Sequence, residues 1–130
     1  MNSLLDTHSL IWFALDDPRL SPKARALIED PENKVAISMA TLWEVAIKVS
    51  IGKLPLNRPY EDFVAECLET QLFSLLPIEP PHTSFLASML FQTGHKDPFD
   101  RLLIAQAIVE EIPIISVDAA FDAYPVRRLW

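Results

Sequence analysis

The acids that could do chemistry in this chain stand at junctions, where an apolar run stops or a helical pattern opens. Asp6 ends the apolar stretch Asn2 to Leu5. Glu44 lies in MATLWEVAIKVSIGKL, directly after the strand-like KVAIS. Asp97 and Asp100 open DPFDRLLIAQA, and Asp118 follows the apolar IIS and Val117. Carboxylates brought close together cannot all stay ionised, because each raises the pKa of the others, and a divalent cation relieves that conflict. A donor set made of oxygen alone suits Mg²⁺ or Mn²⁺, which keep several waters and take substrate phosphates as further ligands. With four carboxylates, one or two ions about 3.5–4 Å apart can activate a water and stabilise the leaving oxygen of a phosphodiester. Hydrolysis of a nucleic-acid backbone is the reaction this chemistry suggests, with Lys48, Lys53 and Arg101 as candidate grips on flanking phosphates.

Each of these residues also has a structural reading. Asp97 fits a helix N-cap, with Asp100 three residues on in the position of a capping-box acid. Thr41 can cap the helix that carries Glu44, or Glu44 can pair with Lys48 four residues on. His8 fits a helix-start hydrogen bond, the three cations fit solvated surface positions, and Cys67 shares an apolar stripe with Phe63, Val64 and Leu68. The functional reading gains weight only if the separated acids meet.

The elements that must bring them together alternate. Asn2 to Leu5 reads as a strand, and Thr7 to Leu15 as a helix stopped by Asp16, Asp17 and Pro18. A second helix opens at Ser21 with Pro22 in its first turn and ends at Asp30 and Pro31; Lys34 to Ser38 is a second strand. In Met39 to Leu54, Leu42, Val45, Ala46 and Val49 form one apolar stripe, while Trp43 and Ile47 form a second, which is a candidate partner surface. Asn57 to Thr70 is a third amphipathic pattern. Leu72 to Ile78 is a short strand ended by Glu79, Pro80 and Pro81, Thr83 to Phe91 a helix, and Gln92 to Lys96 a loop broken at Gly94. Pro98 then starts a helix that is apolar nearly all round, as a helix buried on more than one side must be. Ile114 and Ile115 are a strand, a helical turn runs through Phe121, and Tyr124 to Trp130 is a last extended segment. Strands alternating with helices imply a mostly parallel sheet wound by right-handed crossovers. In such sheets functional groups collect outside the carboxyl ends of the strands. Asp6, the Glu44 region and Asp118 follow strands directly, and Asp100 opens a helix that can point into the same crevice.

Composition narrows the field. With 130 residues, half of them hydrophobic and 22% charged, residues 1–130 read as a single globular domain. Two glycines exclude a phosphate-cradling P-loop and a dinucleotide fingerprint. Three histidines and one cysteine match no structural zinc spacing, and a lone cysteine forms no internal disulfide. No uncharged run reaches the length of a membrane span, and Asp6 interrupts the N-terminal apolar stretch, so the expected location is cytoplasmic. A net charge of −7 ordinarily argues against nucleic acid, except where a metal held by the acids itself receives the phosphate.

The stretches LLDTHSLIWFAL, SMATLWEVAIKVSIGKL, HKDPFDRLLIAQA and IISVDAAFDAYPV resemble the VapC-type toxins of the PIN-domain ribonucleases, in that family's order and spacing and across essentially the whole chain. The resemblance implies an α/β, PIN-like three-layer fold with a central mostly parallel sheet flanked by helices. It implies a Mg²⁺- or Mn²⁺-dependent endoribonuclease, usually a homodimer, made with a VapB-type antitoxin that blocks the site. It carries the metal-binding acids onto Asp6, Glu44, Asp100 and Asp118, with Asp97 in a supporting place. Ser116 stands where the family has Thr or Ser, a hydroxyl suited to bonding a ligating carboxylate or water. An acidic pocket of this kind would accept an Arg or Lys from the antitoxin, leaving Trp43 and Ile47 for an apolar helix of the same partner. Two other readings stand beside this one. Asp6 can be a phospho-accepting nucleophile, although His8 occupies the place where such phosphatases usually carry a second aspartate. The chain can also be a PIN-like RNA- or protein-binding module without catalysis.

Overall fold

Strands this short and apolar persist only where both faces are covered, and these are. In the computed structural model, which describes residues 2–89 and 97–130, β1 (Ser3–Leu5), β2 (Val35–Ser38), β3 (Ser74–Leu76), β4 (Ile114–Ile115) and β5 (Arg128–Leu129) form one sheet in the order β3-β2-β1-β4-β5. Every pairing is parallel, with Leu4 opposite both Ala36 and Ile114. Leu4, Leu5, Ala36, Ile37, Ile114 and Ile115 are completely buried, which is why these strands carry no polar alternation. β1 lies at the centre, so the acid that follows it is placed mid-edge.

The connections are α1 (Thr7–Ala14) and α2 (Pro22–Glu29) between β1 and β2, then α3 (Met39–Ser50) and α4 (Tyr60–Ala65) before β3. α4 continues into a π-helical turn at Glu66–Thr70. α5 (Pro80–Ser88) and α6 (Pro98–Val109) lead back to β4, and a 3₁₀ turn at Ala119–Ala123 precedes β5. One core gathers Leu10, Ile11, Ala24, Ile28, Leu42, Val45 and Phe63 on one face of the sheet. A second gathers Leu103, Ile104, Ala107 and Phe121 on the other. The result is helix, sheet, helix in three layers. Among the described residues no helix is long and apolar enough to cross a membrane.

Two helix starts differ from the sequence expectation. Ser38, not Thr41, caps α3: its hydroxyl accepts the Ala40 N–H at 3.0 Å, while Thr41 is buried and its hydroxyl lies 3.2 Å from that of Thr7. α5 begins at Pro80, three residues before the expected Thr83, because proline is pre-set for the first turn and lacks an N–H to satisfy there. Glu79 caps it, and His82 closes the capping box by accepting the Glu79 N–H on Nδ1 at 3.0 Å. The end of that predicted helix at Phe91 and the loop Gln92 to Lys96 lie outside the described residues.

α6 meets its expectation of burial on all sides: Leu103, Ile104, Ala105, Gln106 and Ala107 are each fully buried. The polar member of that run acts as a brace. Gln106 accepts the Ser38 hydroxyl on Oε1 at 2.5 Å and donates from Nε2 to the Pro77 carbonyl at 3.3 Å, so α6 is tied to the start of α3 and the end of β3. A buried amide left without these partners would cost about 1–3 kcal/mol, so the contact helps hold α3 and α6 in register.

Candidate functional site

The carboxyl edge of the sheet is where strand ends and helix starts coincide, and each candidate acid occupies such a point. Asp6 leaves β1 in extended geometry and caps α1, its Oδ1 accepting the Ser9 N–H at 2.9 Å. It is 3% exposed, and burial pushes its carboxyl above the ordinary value, against the opposing hydrogen bonds from Ser9 and Ser116 and the nearness of His8. Ser116, fully buried just past β4, accepts the Asp118 N–H at 3.0 Å, and its hydroxyl is near enough to Asp6 to favour the ionised carboxyl. One hydroxyl therefore bears on two of the predicted acids. Asp118 is exposed and caps the 3₁₀ turn through Ala120 N–H at 2.9 Å.

Glu44 sits in the second turn of α3, 7% exposed, with its Oε2 2.9 Å from the Lys48 ammonium. Asp97 caps α6 by accepting the Phe99 and Asp100 N–H groups at 2.9 and 3.1 Å. Asp100, half-buried in the first turn of α6, has its carboxyl pushed up to about 7. Burial is the larger cause, followed by the charges of Asp97, Asp6, Glu44 and Asp118. Each predicted acid is thus close enough to Asp100 to oppose its ionisation.

The convergence is looser than the sequence reading expected. Among the described residues, no three His, Cys, Asp or Glu side chains stand close enough to wrap one ion as they are. Like charges repel, and several of the acids are already engaged: Glu44 with Lys48, and Asp6, Asp97 and Asp118 with the backbone N–H groups they cap. The donor set nonetheless fits a hard divalent cation, being all oxygen, with mutual repulsion that a cation would cancel.

The predicted cations fare unevenly. Lys48 is committed to Glu44, and Arg101 is buried rather than at the surface. Lys53 lies beyond the far end of the 12-residue α3, which is about 18 Å long. The sequence reading missed Arg128, whose guanidinium donates to the Ser116 carbonyl at 3.2 Å and pairs with Asp122 at 2.9 and 3.0 Å. It also passed over Gln106, the uncharged polar residue inside an otherwise apolar run, which was the available signal. Cys67 is a packed thiol as expected, its pKa raised to about 11, chiefly by burial. A cavity of about 200 Å³ beside it, lined by Phe13, Arg25, Arg58 and Phe73 among others, includes none of the candidate acids.

Aromatic rings border the acids in two groups. His8 makes no helix-start hydrogen bond among the described residues. Its ring lies 5.9 Å from that of Trp12, which meets Trp130 edge-on at 6.0 Å. Trp43, beside Glu44, meets Phe99, beside Asp100, at 5.1 Å. The reading of Asp6 as a phospho-accepting nucleophile meets a carboxyl that is buried and occupied in capping α1.

Residues 3–126 match the PIN domain family. Ribonuclease VapC16 of Mycobacterium tuberculosis is 34% identical over 71 residues, 52% of this chain and 50% of that protein, so the match spans about half the length of this curated relative. Two solved structures share the fold. One is VapBC2 from Rickettsia felis bound to a DNA fragment from their promoter, with TM-score 0.68, 15% identity, and 99% of this chain and 98% of that chain covered. The other is FitAcB from Neisseria gonorrhoeae, with TM-score 0.68, 24% identity and coverage of 98% and 96%. With 124 residues of the sequence inside the family match, from 3 to 126, the chain belongs to the PIN domain family.

Proposed function

We propose that this protein is a divalent-metal-dependent endoribonuclease, the toxin of a toxin–antitoxin pair, acting as a homodimer and held in check by a cognate antitoxin. The observation that carries the reading is the placement of Asp6, Glu44, Asp97, Asp100 and Asp118 at the strand ends and helix starts of one sheet edge, where burial and the charges of the other four push the Asp100 carboxyl up to about 7. A stability-driven surface would not gather acids so that one of them resists ionisation near neutrality. The names of the relatives support the same direction, VapC16 as a ribonuclease and the Rickettsia protein as a VapBC complex.

In this reading Asp6, Glu44, Asp100 and Asp118 would hold Mg²⁺ or Mn²⁺. When bound, the ion supplies an acidified water and positive charge at the phosphate. The remaining work belongs to the chain. The Ser116 hydroxyl accepts the Asp118 N–H and lies near enough to Asp6 to favour its ionised form. Asp97 starts α6 and thereby aims Asp100. Lys48 balances Glu44 until a stronger cation competes for it. The apolar stripe of Trp43 and Ile47 suits an antitoxin helix, and an Arg or Lys from the same partner suits the acids.

The test is cleavage of RNA by purified protein with the product ends mapped. EDTA should abolish cleavage, and Mn²⁺ should restore it. Asp100→Asn and Asp6→Ala should each lower the rate by roughly a hundredfold or more. Binding of RNA without metal-dependent cleavage would instead identify a catalytically silent module.

A further inference from the structure

The side chains of an acidic protein that cuts a polyanion have little phosphate attraction to offer beyond what a metal held by the acids would supply. The net charge is −7. Of the cations described around the acids, Lys48 is paired with Glu44 and Arg128 with Asp122, and Arg101 is buried. What the β5 side of the site does offer is flat rings. His8 is exposed in the first turn of α1, two residues after Asp6 and near enough to act on its charge. Trp12 follows one turn later, ring centroid 5.9 Å away, and Trp130 meets Trp12 at 6.0 Å. The Arg19 guanidinium covers Trp12 at 4.9 Å from the ring centroid.

Trp130 is bound into the site's own framework. It follows β5, whose Leu129 carbonyl accepts the Ser116 N–H at 3.1 Å, and the Ser116 hydroxyl in turn accepts the Asp118 N–H. Trp12 and Trp130 both pack against the core, yet neither is buried. The His8 and Trp12 planes are inclined by 45° and those of Trp12 and Trp130 by 64°, so the three rings form a notch in which a base can lie against one ring and meet the edges of the others.

We propose that His8, Trp12 and Trp130 form a stacking platform for one unpaired base of the RNA, next to the phosphate that is cut. This rests on the ribonuclease reading above and adds to it the side chains that hold one base; that base must be unpaired, because bases inside a duplex present no free face. The platform residues bind and position the substrate and take no part in the bond cleavage.

The experiment has a binding arm and a kinetic arm. In the first, anisotropy of a labelled single-stranded RNA oligomer is read with Asp100→Asn protein, alone and combined with His8→Ala, Trp130→Ala or Trp130→Phe. Both alanine variants should bind roughly tenfold more weakly, and Trp130→Phe should keep most of the affinity because it keeps an aromatic face. In the second, otherwise wild-type enzyme cleaves oligomers in which an abasic nucleotide is moved along the chain. One abasic position should raise KM by about the factor that Trp130→Ala does, with kcat nearly unchanged, and the two losses should not add. Unchanged binding in both alanine variants together with a flat abasic scan overturns the platform. So does a loss confined to complex formation with the antitoxin, which would give the surface to a protein partner. If Trp130→Ala fails to fold, the exposed His8 and the abasic scan decide the matter. A wild-type protein that cuts no RNA removes the ribonuclease reading, while the binding arm still reads the platform directly.

Discussion

The two ring groups beside the acids are built from similar side chains and surrounded by different chemistry. On the β5 side, Trp12 and Trp130 pack against the core, with an imidazole beside Trp12 and a guanidinium over one face of it. On the α3 side, Trp43 is 55% exposed, and Met39, Ile47 and Ile51 continue its stripe at spacing four with 40%, 36% and 58% exposure. That second group is a one-faced apolar seam along a helix, the surface another helix can cover. The first is a small mixed patch with flat faces and polar edges. The difference teaches that an aromatic beside an acidic site has no function by itself: its neighbours decide whether a base or a helix is the better fit.

The comparison breaks most easily at the seam. Trp43→Ser with Ile47→Ser removes two exposed apolar anchors and should weaken antitoxin binding by roughly a hundredfold in calorimetric titration. RNA cleavage should change by less than about threefold, and an equal loss of both would show that the two regions are not separate. The acids between them give a smaller effect. Because the Asp100 carboxyl is raised from 3.8 to about 7, the folded protein binds a proton that the unfolded chain has released across that interval. Metal-free stability should therefore be highest below about pH 4 as far as this group is concerned, and should fall as pH rises through 7. Asp100→Asn should remove that slope and stabilise the metal-free protein at pH 8 by about 1–2 kcal/mol after allowance for solvent screening, measured by urea unfolding. The smallest effect is expected from salt. If stacking rather than phosphate contact supplies affinity, KM for single-stranded RNA should rise less than about threefold between 50 and 200 mM salt. A protein making several phosphate contacts would lose about 10³-fold or more.

Much of this molecule was legible before folding because its signals are local. Asp97 before Pro98 announced a helix start, and both residues hold those places in the structure. Ser21 and Pro22 did the same for α2. The exposed face at Trp43 and Ile47 followed from spacing alone. Where local signals competed, the reading slipped. Thr41 reads as the cap of α3, but Ser38 takes that place and the Thr41 hydroxyl meets that of Thr7, 34 residues away in sequence. Pro80 and Pro81 read as the end of a strand, although the same rigid geometry opens α5.

Sequence alone determined the alternation of strands and helices, the burial of α6 and the kinds of oxygen donor available, since these depend on residue type and short-range spacing. It also carried the family, because the motifs preserve their order along the chain. Only the tertiary structure decided that Asp6, Glu44, Asp97 and Asp118 all act on the charge of Asp100, that Lys48 and Arg128 are already engaged, and that Trp130 stands beside a helix near the other end of the chain. Coulomb forces and ring contacts depend on distance through space, which the parallel sheet sets by laying β1 between β2 and β4.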